Sequence, residues 1–136
     1  MPAKEYLNRA RDISQQIKVL KKRIEELRAL ERSIPGPNYD QIVVDRTRSY
    51  EAPFVKYIFK RMEAEEKLKE LEEELIEVKN EIAVSISELE CPIQQRLLRL
   101  RYLDFMTWTD ISKAMNYGLD NIYRLHRESL LRIKYE

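Results

Sequence analysis

The sequence is poor in cysteine and glycine. It contains one cysteine, Cys91, so one chain cannot build a disulfide framework or a cysteine-rich metal site, and a reducing cytosol is the expected compartment. Glycine occurs only 2 times, while charged residues make up 36% of the chain. This balance favours long solvated helices over a turn-rich β architecture. The sequence therefore predicts an all-α fold.

Long apolar runs and catalytic signatures are also missing. No run approaches the roughly 20 residues that span a bilayer, and the N-terminus has no hydrophobic segment of the signal-peptide type. There is no glycine-rich phosphate loop, metal-ligand spacing or nucleophile arrangement. We therefore expect a cytoplasmic protein that has no membrane partner and no cofactor and is not an enzyme.

Charge is nearly balanced overall, at +1, but it is unevenly distributed. Residues 1–32 carry nine Lys/Arg against five Asp/Glu, residues 53–90 six against eleven, and residues 91–136 eight against five. An acidic middle between basic ends places any phosphate-binding surface at the ends.

Residues 1–33 repeat apolar side chains every three or four positions. The series is Tyr6, Ala10, Ile13, Ile17, Leu20, Ile24 and Leu27, a coiled-coil heptad seam, and the charged residues Lys18, Lys21, Lys22, Arg23, Glu25 and Glu26 fall on the wet side. The helix should end near Ser33, because the prolines that follow cannot continue it. Residues 34–52 form a connection with one plausible extended piece at 41–45. The roles of its residues Tyr39, Arg46, Arg48 and Tyr50 stay open between DNA, a polymerase subunit and nothing.

Residues 53–90 repeat the same pattern in a second, acidic helix that begins at Pro53. Its seam is Phe54, Tyr57, Arg61, Ala64, Leu68, Leu71, Leu75, Val78, Ile82, Ser85 and Leu89. Two seams of similar period predict a long antiparallel helical hairpin, coiled-coil-like in character. Apolar Ile58 and Met62, expected to be exposed, suggest a further partner such as a second copy.

Residues 91–136 read as three short helices with tight turns. Thr107 and Asp110 form a predicted cap at the start of the second of these helices. Residues 116–118 form a turn, in which Asn116 and Gly118 tolerate left-handed geometry. Two short helices joined by such a turn, with a basic outer face on the second, are typical of a helix-turn-helix domain.

The last helix has two predicted faces. Ile122 lies at the centre of the buried face, which Leu125, His126, Ser129 and Ile133 share, while Asp120, Asn121, Arg124, Arg127 and Glu128 point outward. Arg124 and Asn121 are candidates for base contact, and Lys113, Arg127 and Arg132 for phosphate contact or positioning. The full predicted DNA-binding set is Lys113, Tyr117, Leu119, Asp120, Asn121, Tyr123, Arg124, Arg127 and Arg132.

Three short sequences carry a family resemblance: Leu-Arg-Tyr-Leu at 100–103, Thr-Trp-Thr-Asp-Ile at 107–111 and Ile-Tyr-Arg-Leu-His-Arg at 122–127. They look like phage and prophage late-gene regulators of the RinA/ArpU type and a related uncharacterised phage family, and residues 88–132 resemble region 4 of bacterial sigma factors. Lys-Glu-Tyr-Leu-Asn-Arg-Ala at 4–10 and the acidic heptad helix suit that group. The resemblance covers most of the chain and is weakest at 34–52.

The resemblance implies a supporting helix at Asp110–Met115, a recognition helix at Leu119–Leu130, RNA polymerase as a partner and a bacterial host cell. Ser112 stands where such motifs usually have alanine, and Asn116 where glycine is usual, although both fit sterically. The leading hypothesis is a sequence-specific DNA-binding transcriptional regulator of phage or prophage genes, expected to be a homodimer on double-stranded DNA. The alternative is a coiled-coil interaction module, an adaptor or inhibitor, without significant DNA binding.

Other chemistry-bearing residues have simpler interpretations. His126 lacks a carboxylate, serine or cysteine partner of obvious spacing, so a packed or phosphate-contacting histidine is expected rather than a general base. The glutamates between 63 and 77 are expected to form one solvated helix face rather than a metal site. Trp108 is expected to be part of the core.

Overall fold

A computed structural model describes residues 2–33 and 53–135 of the chain. The described residues form helices and contain no strand, which confirms the predicted all-α class. The helices are α1 (Ala3–Ser33), α2 (Pro53–Ser87), α3 (Pro92–Tyr102), α4 (Trp108–Met115) and α5 (Leu119–Arg132). Among the described residues α1 extends to Ser33 and α2 extends from Pro53. The predicted connection, with its extended piece at 41–45, its two tyrosines and its two arginines, lies outside the described residues.

The burial pattern of α1 follows the predicted seam. All seam residues are buried except Leu20, which is half-buried, and the six charged residues predicted on the wet side are exposed. Leu7 is also completely buried, although it lies beside the seam and not on it. The N-terminal turns of α1 therefore bury a wider part of the helix surface than the two positions per heptad that form a coiled-coil seam.

The seam of α2 is also confirmed where its side chains are described. Leu71, Val78, Ile82, Ser85 and Leu89 are buried, and Tyr57, Arg61, Ala64, Leu68 and Leu75 are half-buried, while the side chain of Phe54 lies outside the described part. The helix ends at Ser87, and the Leu89 amide donates to the Ile86 carbonyl in a tighter final turn. Met62 is 54% exposed as expected, whereas Ile58 is half-buried.

The chain divides into two compact units. The terminal unit contains Met1–Gln15 and Glu73–Glu136, and the middle unit contains Gln16–Glu72. In the terminal unit the Tyr6 hydroxyl lies 3.0 Å from Ser85 Oγ, and Arg9 donates to Glu81 at 2.7 Å. The beginning of α1 is thus joined to the end of α2 within this unit.

In the middle unit, arginines of both long helices contact glutamates. Arg61 donates to Glu31 at 2.7 Å and to Glu65 at 3.0 Å, and Arg28 donates to Glu65 at 2.9 Å. Hydrogen bonds from Arg28 and Arg61 lower the pKa of Glu65, and hydrogen bonds to Glu31 and Glu65 raise the pKa of Arg61. These shared charges tie α1 to α2 within the middle unit.

Helices α3, α4 and α5 of the terminal unit pack around a small apolar core. The core consists of Leu97, Ile111, Met115 and Ile122, against which Leu100, Met106, Trp108 and Leu125 pack. Every one of these three helices contributes, so each buries an apolar stripe against the other two. The predicted place of Trp108 in the core is confirmed.

Candidate nucleic-acid interface

The turn between α4 and α5 is built by polar side chains at fixed positions. Thr107 caps α4 by accepting a hydrogen bond from the Asp110 amide at 3.1 Å. Asn116 ends the helix in the left-handed conformation, with φ 59° and ψ 41°, which asparagine adopts more readily than most residues. Ser112, which stands where motifs of the resembled type usually have alanine, donates a hydrogen bond to the Tyr117 carbonyl and so stabilises the turn.

Gly118 does not use the left-handed geometry that glycine tolerates. Its φ is −65° and its ψ 155°, and it occupies the N-cap of α5. A Cβ placed there meets nothing within 4 Å. The left-handed residue of this turn is Asn116, the other position at which the sequence allows that geometry. With no side chain at the cap, the first amides of α5 have no side-chain acceptor at Gly118.

Helix α5 has two clearly different faces. Ile122, His126, Ser129 and Ile133 are buried, and Leu125 is half-buried, as predicted. The five residues predicted to point outward, Asp120, Asn121, Arg124, Arg127 and Glu128, are exposed. Arg124 and Arg127 lie on one stripe with Asp120 and Leu131, at spacings of four, three and four residues. The burial of one face fixes which side chains the other presents.

All of the residues predicted to contact DNA are exposed. They are Lys113, Tyr117, Leu119, Asp120, Asn121, Tyr123, Arg124, Arg127 and Arg132. None of the basic members of this set lies within ion-pair distance of a carboxylate among the described residues. Their positive charges are therefore available to an external anion.

Arg132 lies apart from the other arginines of α5. It lines a shallow pocket together with Glu88, Glu90, Cys91 and Lys134. Two carboxylates in the same lining reduce the attraction of this pocket for a phosphate. The structure brings Arg124 and Arg127 onto one outer stripe and places Arg132 on a different flank, eight residues after Arg124.

Trp108 is the centre of an aromatic cluster next to this stripe. Its ring centroid lies 4.6 Å from that of His126 and 5.7 Å from that of Tyr123, both in edge-on geometry. The Arg101 guanidinium stands 4.3 Å from the same ring centroid, and its Nη1 donates to the Met106 carbonyl at 3.0 Å. Through these contacts Arg101 of α3 is held close to the Tyr123 side of α5.

His126 is buried and packed, which is one of the two roles that the sequence predicts for it. Burial, and then the nearby charges of Lys4, Arg101 and Arg127, lower its pKa to about 4. Its Nε2 lies 2.5 Å from the Tyr102 hydroxyl, and burial raises the pKa of that hydroxyl to about 12. At neutral pH the imidazole is therefore neutral and the phenol protonated, and the two groups share a hydrogen bond whose donor is set by the tautomer of His126.

These observations define an all-helical protein with an exposed basic helix near its C-terminus. The chain belongs to a family described as "Protein of unknown function (DUF1492)", whose model matches residues 35–134. No curated protein and no solved structure matches the chain. Within residues 2–33 and 53–135, no helix combines the length and apolar character needed to cross a membrane.

Sequence reasoning missed Arg101, which the structure places on the Trp108 ring beside α5, and two N-terminal cations that act electrostatically on this region. Lys4 and Arg101 both act electrostatically on His126, and Arg11 acts on Arg101. The excess of basic residues at both ends was the available signal. It does not reveal which N-terminal residues approach α5, because that depends on long-range packing.

Proposed function

We propose that this protein is a sequence-specific DNA-binding transcriptional regulator of phage or prophage genes in a bacterial cytoplasm. In this proposal α4, the turn at 116–118 and α5 form a helix-turn-helix, and α5 enters the major groove. The observation that carries the proposal is the outer stripe of α5, where Arg124 and Arg127 are exposed and have no carboxylate partner among the described residues. The resemblance to sigma region 4 and to late-gene regulators adds to it.

The proposed contacts follow from side-chain chemistry. Arg124 binds guanine through two parallel hydrogen bonds, and Asn121 binds adenine in the same way. Arg127 and Lys113 bind backbone phosphates on either side and hold the helix in register. Arg132 contributes less than Arg124, because it shares its pocket with Glu88 and Glu90.

The two long helices form an antiparallel coiled-coil-like hairpin in this proposal. Within each unit, earlier residues of α1 contact later residues of α2, as antiparallel pairing requires. In the terminal unit Tyr6 contacts Ser85 and Arg9 contacts Glu81, and in the middle unit Arg28 contacts Glu65 and Glu31 contacts Arg61. The hairpin joins two copies or engages RNA polymerase, because one recognition helix contacts only a short half-site.

The test is the affinity of an Arg124→Ala/Arg127→Ala double variant for DNA fragments upstream of neighbouring genes. Fluorescence anisotropy at several salt concentrations should give saturable, sequence-preferring binding for the wild type. Loss of a base-reading arginine and a phosphate contact should weaken it by about 10- to 100-fold. The double variant should also lose preference among sequences.

A matched control separates local contact from net charge. Arg23→Ala/Arg32→Ala removes the same two charges from exposed positions of α1 and should leave the affinity unchanged. Equal affinity of wild type and the Arg124/Arg127 variant would exclude α5 as the reading helix. No salt-dependent binding of the wild type to any duplex would exclude the DNA-binding function itself.

The second candidate is a coiled-coil interaction module without DNA binding. It is favoured by the large apolar side chains that the middle unit leaves open, Val19 at 71%, Phe59 at 53% and Met62 at 54% exposed. Under this hypothesis Phe59→Ser/Met62→Ser abolishes self-association or partner binding, measured by sedimentation. DNA affinity that survives unchanged in that variant would favour the regulator, with separate surfaces for DNA and for protein.

A further inference from the structure

Two large apolar side chains are exposed on the first turns of α5, a helix whose outer face is otherwise mostly charged. Leu119 is 40% exposed and Tyr123 is 39% exposed. They lie four residues apart, so they are neighbours on one flank of the helix. Arg127 follows four residues later on the same flank. The apolar pair is thus continuous with the basic surface of α5.

Contacts behind the exposed pair fix the position of the Tyr123 ring. The ring centroids of Tyr123 and Trp108 lie 5.7 Å apart in edge-on geometry. The Trp108 ring is in turn covered by the Arg101 guanidinium at 4.3 Å, and the His126 ring lies 4.6 Å from it. An exposed ring that is already held by packing loses little conformational freedom when a partner binds, which makes it suited to a binding surface.

Leu119 is placed where a recognition helix meets the bases. It is the first residue of α5 and follows the N-cap residue Gly118. A Cβ on Gly118 would meet nothing within 4 Å, so the space beside this end of the helix is open to a partner. In a helix-turn-helix, the N-terminal residues of the recognition helix are the ones that contact base edges. The apolar pair therefore begins at the part of α5 that enters the groove furthest.

The apolar group that the major groove presents to a protein is the C5-methyl of thymine. We infer that Leu119 and Tyr123 contact thymine methyl groups in the half-site that α5 reads. The pair thereby contributes specificity for thymine, in addition to the hydrogen bonds that Arg124 and Asn121 make to other bases. The inference rests on the proposed function and names a feature of the DNA sequence that this site selects.

The test replaces every thymine of a preferred duplex by deoxyuridine, which keeps the base-pairing groups and lacks the methyl. Wild-type affinity, measured by fluorescence anisotropy, should fall about fourfold for each methyl that the pair contacts. The Leu119→Ala/Tyr123→Ala variant should bind the preferred duplex more weakly and should no longer distinguish its two forms. For an unrelated duplex, the wild type should bind the thymine and deoxyuridine forms equally.

Two single variants make the result specific. Leu131→Ala removes a leucine that is 87% exposed near the end of the same helix, and it should keep the full preference for thymine. Leu119→Ala alone leaves the contact between Tyr123 and Trp108 in place and should lose part of the preference. A graded loss of this kind separates the methyl contact from any effect of the double variant on folding, which circular dichroism checks independently.

The outcomes separate this inference from the proposed function. Wild-type binding that is sequence-preferring but equal for the thymine and deoxyuridine forms would overturn the inference while the proposed function stands. A Leu119/Tyr123 variant that keeps the preference for thymine would overturn it too, as would loss of self-association in that variant, measured by sedimentation, with the preference unchanged. Absence of wild-type binding to any duplex would remove the proposed function and the inference together.

Discussion

The middle unit and the C-terminal helices use their arginines in opposite ways. In the middle unit Arg23, Arg28 and Arg61 each contact a glutamate, at 3.5, 2.9 and 2.7 Å. After residue 91, no arginine in the described residues lies within ion-pair distance of a carboxylate. Similar side chains thus contribute to intramolecular contacts in one region and stay available for an external partner in the other.

Charge count alone is therefore a poor guide to a binding surface. Residues 1–32 and 91–136 are both basic, but the acidic α2 neutralises part of the first segment. Helices α3 to α5 replace ion pairs by a buried apolar core and an aromatic cluster. Arg96 and Arg101 of α3 donate to the carbonyls of Ala114 and Met106. Arg124 and Arg127 of α5 make no ion pair among the described residues, which leaves these two side chains available for phosphate and bases.

The largest effect on stability is expected from the apolar core of α3 to α5. Ile122→Ala removes a completely buried side chain from the centre of α3 to α5 and should lower the free energy of unfolding by about 3 kcal/mol. Urea denaturation followed by circular dichroism measures it. Leu131→Ala, at a position 87% exposed on the same helix, should cost almost nothing. Equal losses for the two variants would contradict a role for the core in holding these helices.

A pH effect of similar size is expected from His126, the only histidine of the chain. Its pKa falls from 6.5 to about 4 on folding, so the unfolded chain takes up the proton first. The neutral His126 makes its full contribution to the free energy of unfolding above pH 6.5. This contribution declines as the pH falls towards 4 and amounts to at most about 3 kcal/mol.

The measurement is the difference between the pH–stability curves of the wild type and His126→Gln. The glutamine amide can donate to or accept from the Tyr102 hydroxyl but does not titrate. The two curves should run parallel above pH 6.5 and approach each other below it. Curves that stay parallel down to pH 4 would show that His126 is not held neutral by its surroundings.

Much of the fold was predictable because helix periodicity is local. The alternation of apolar residues defined the buried faces of α1, α2 and α5, and prolines marked the starts of α2 and α3. Long-range packing was not predictable in the same way. Phe105 adopts φ 57° in the link between α3 and α4, with the Lys79 ammonium 4.9 Å from its ring, and no local pattern indicates either feature.

The candidate site was predictable only in part, for the same reason. Exposure of Arg124 and Arg127 follows from the burial of Ile122 and His126 on the opposite face. The electrostatic effect of Arg11 on Arg101 joins residues 90 positions apart in the sequence, so no local pattern indicates it. The sequence allows left-handed geometry at both Asn116 and Gly118, and of these two the structure has it at Asn116.

A smaller effect is expected at the N-cap of α4. Thr107→Ala removes the acceptor of the Asp110 amide and should lower the free energy of unfolding by about 1 kcal/mol. Thr109→Ala makes the same chemical change two residues later, inside the helix, and should cost less. A loss at Thr109 equal to that at Thr107 would mean that the cap does not set the start of the supporting helix.

The smallest effect on stability is expected at the paired arginines of the middle unit. Arg61→Gln removes the contacts to Glu31 and Glu65. These ion pairs are partly exposed to solvent, so stability should fall only slightly at low salt. The loss should disappear in about 1 M salt, where screening acts over only about 3 Å. DNA affinity should not change, because this arginine is already neutralised. A drop in DNA affinity as large as that of the Arg124/Arg127 variant would remove the distinction between paired and available arginines.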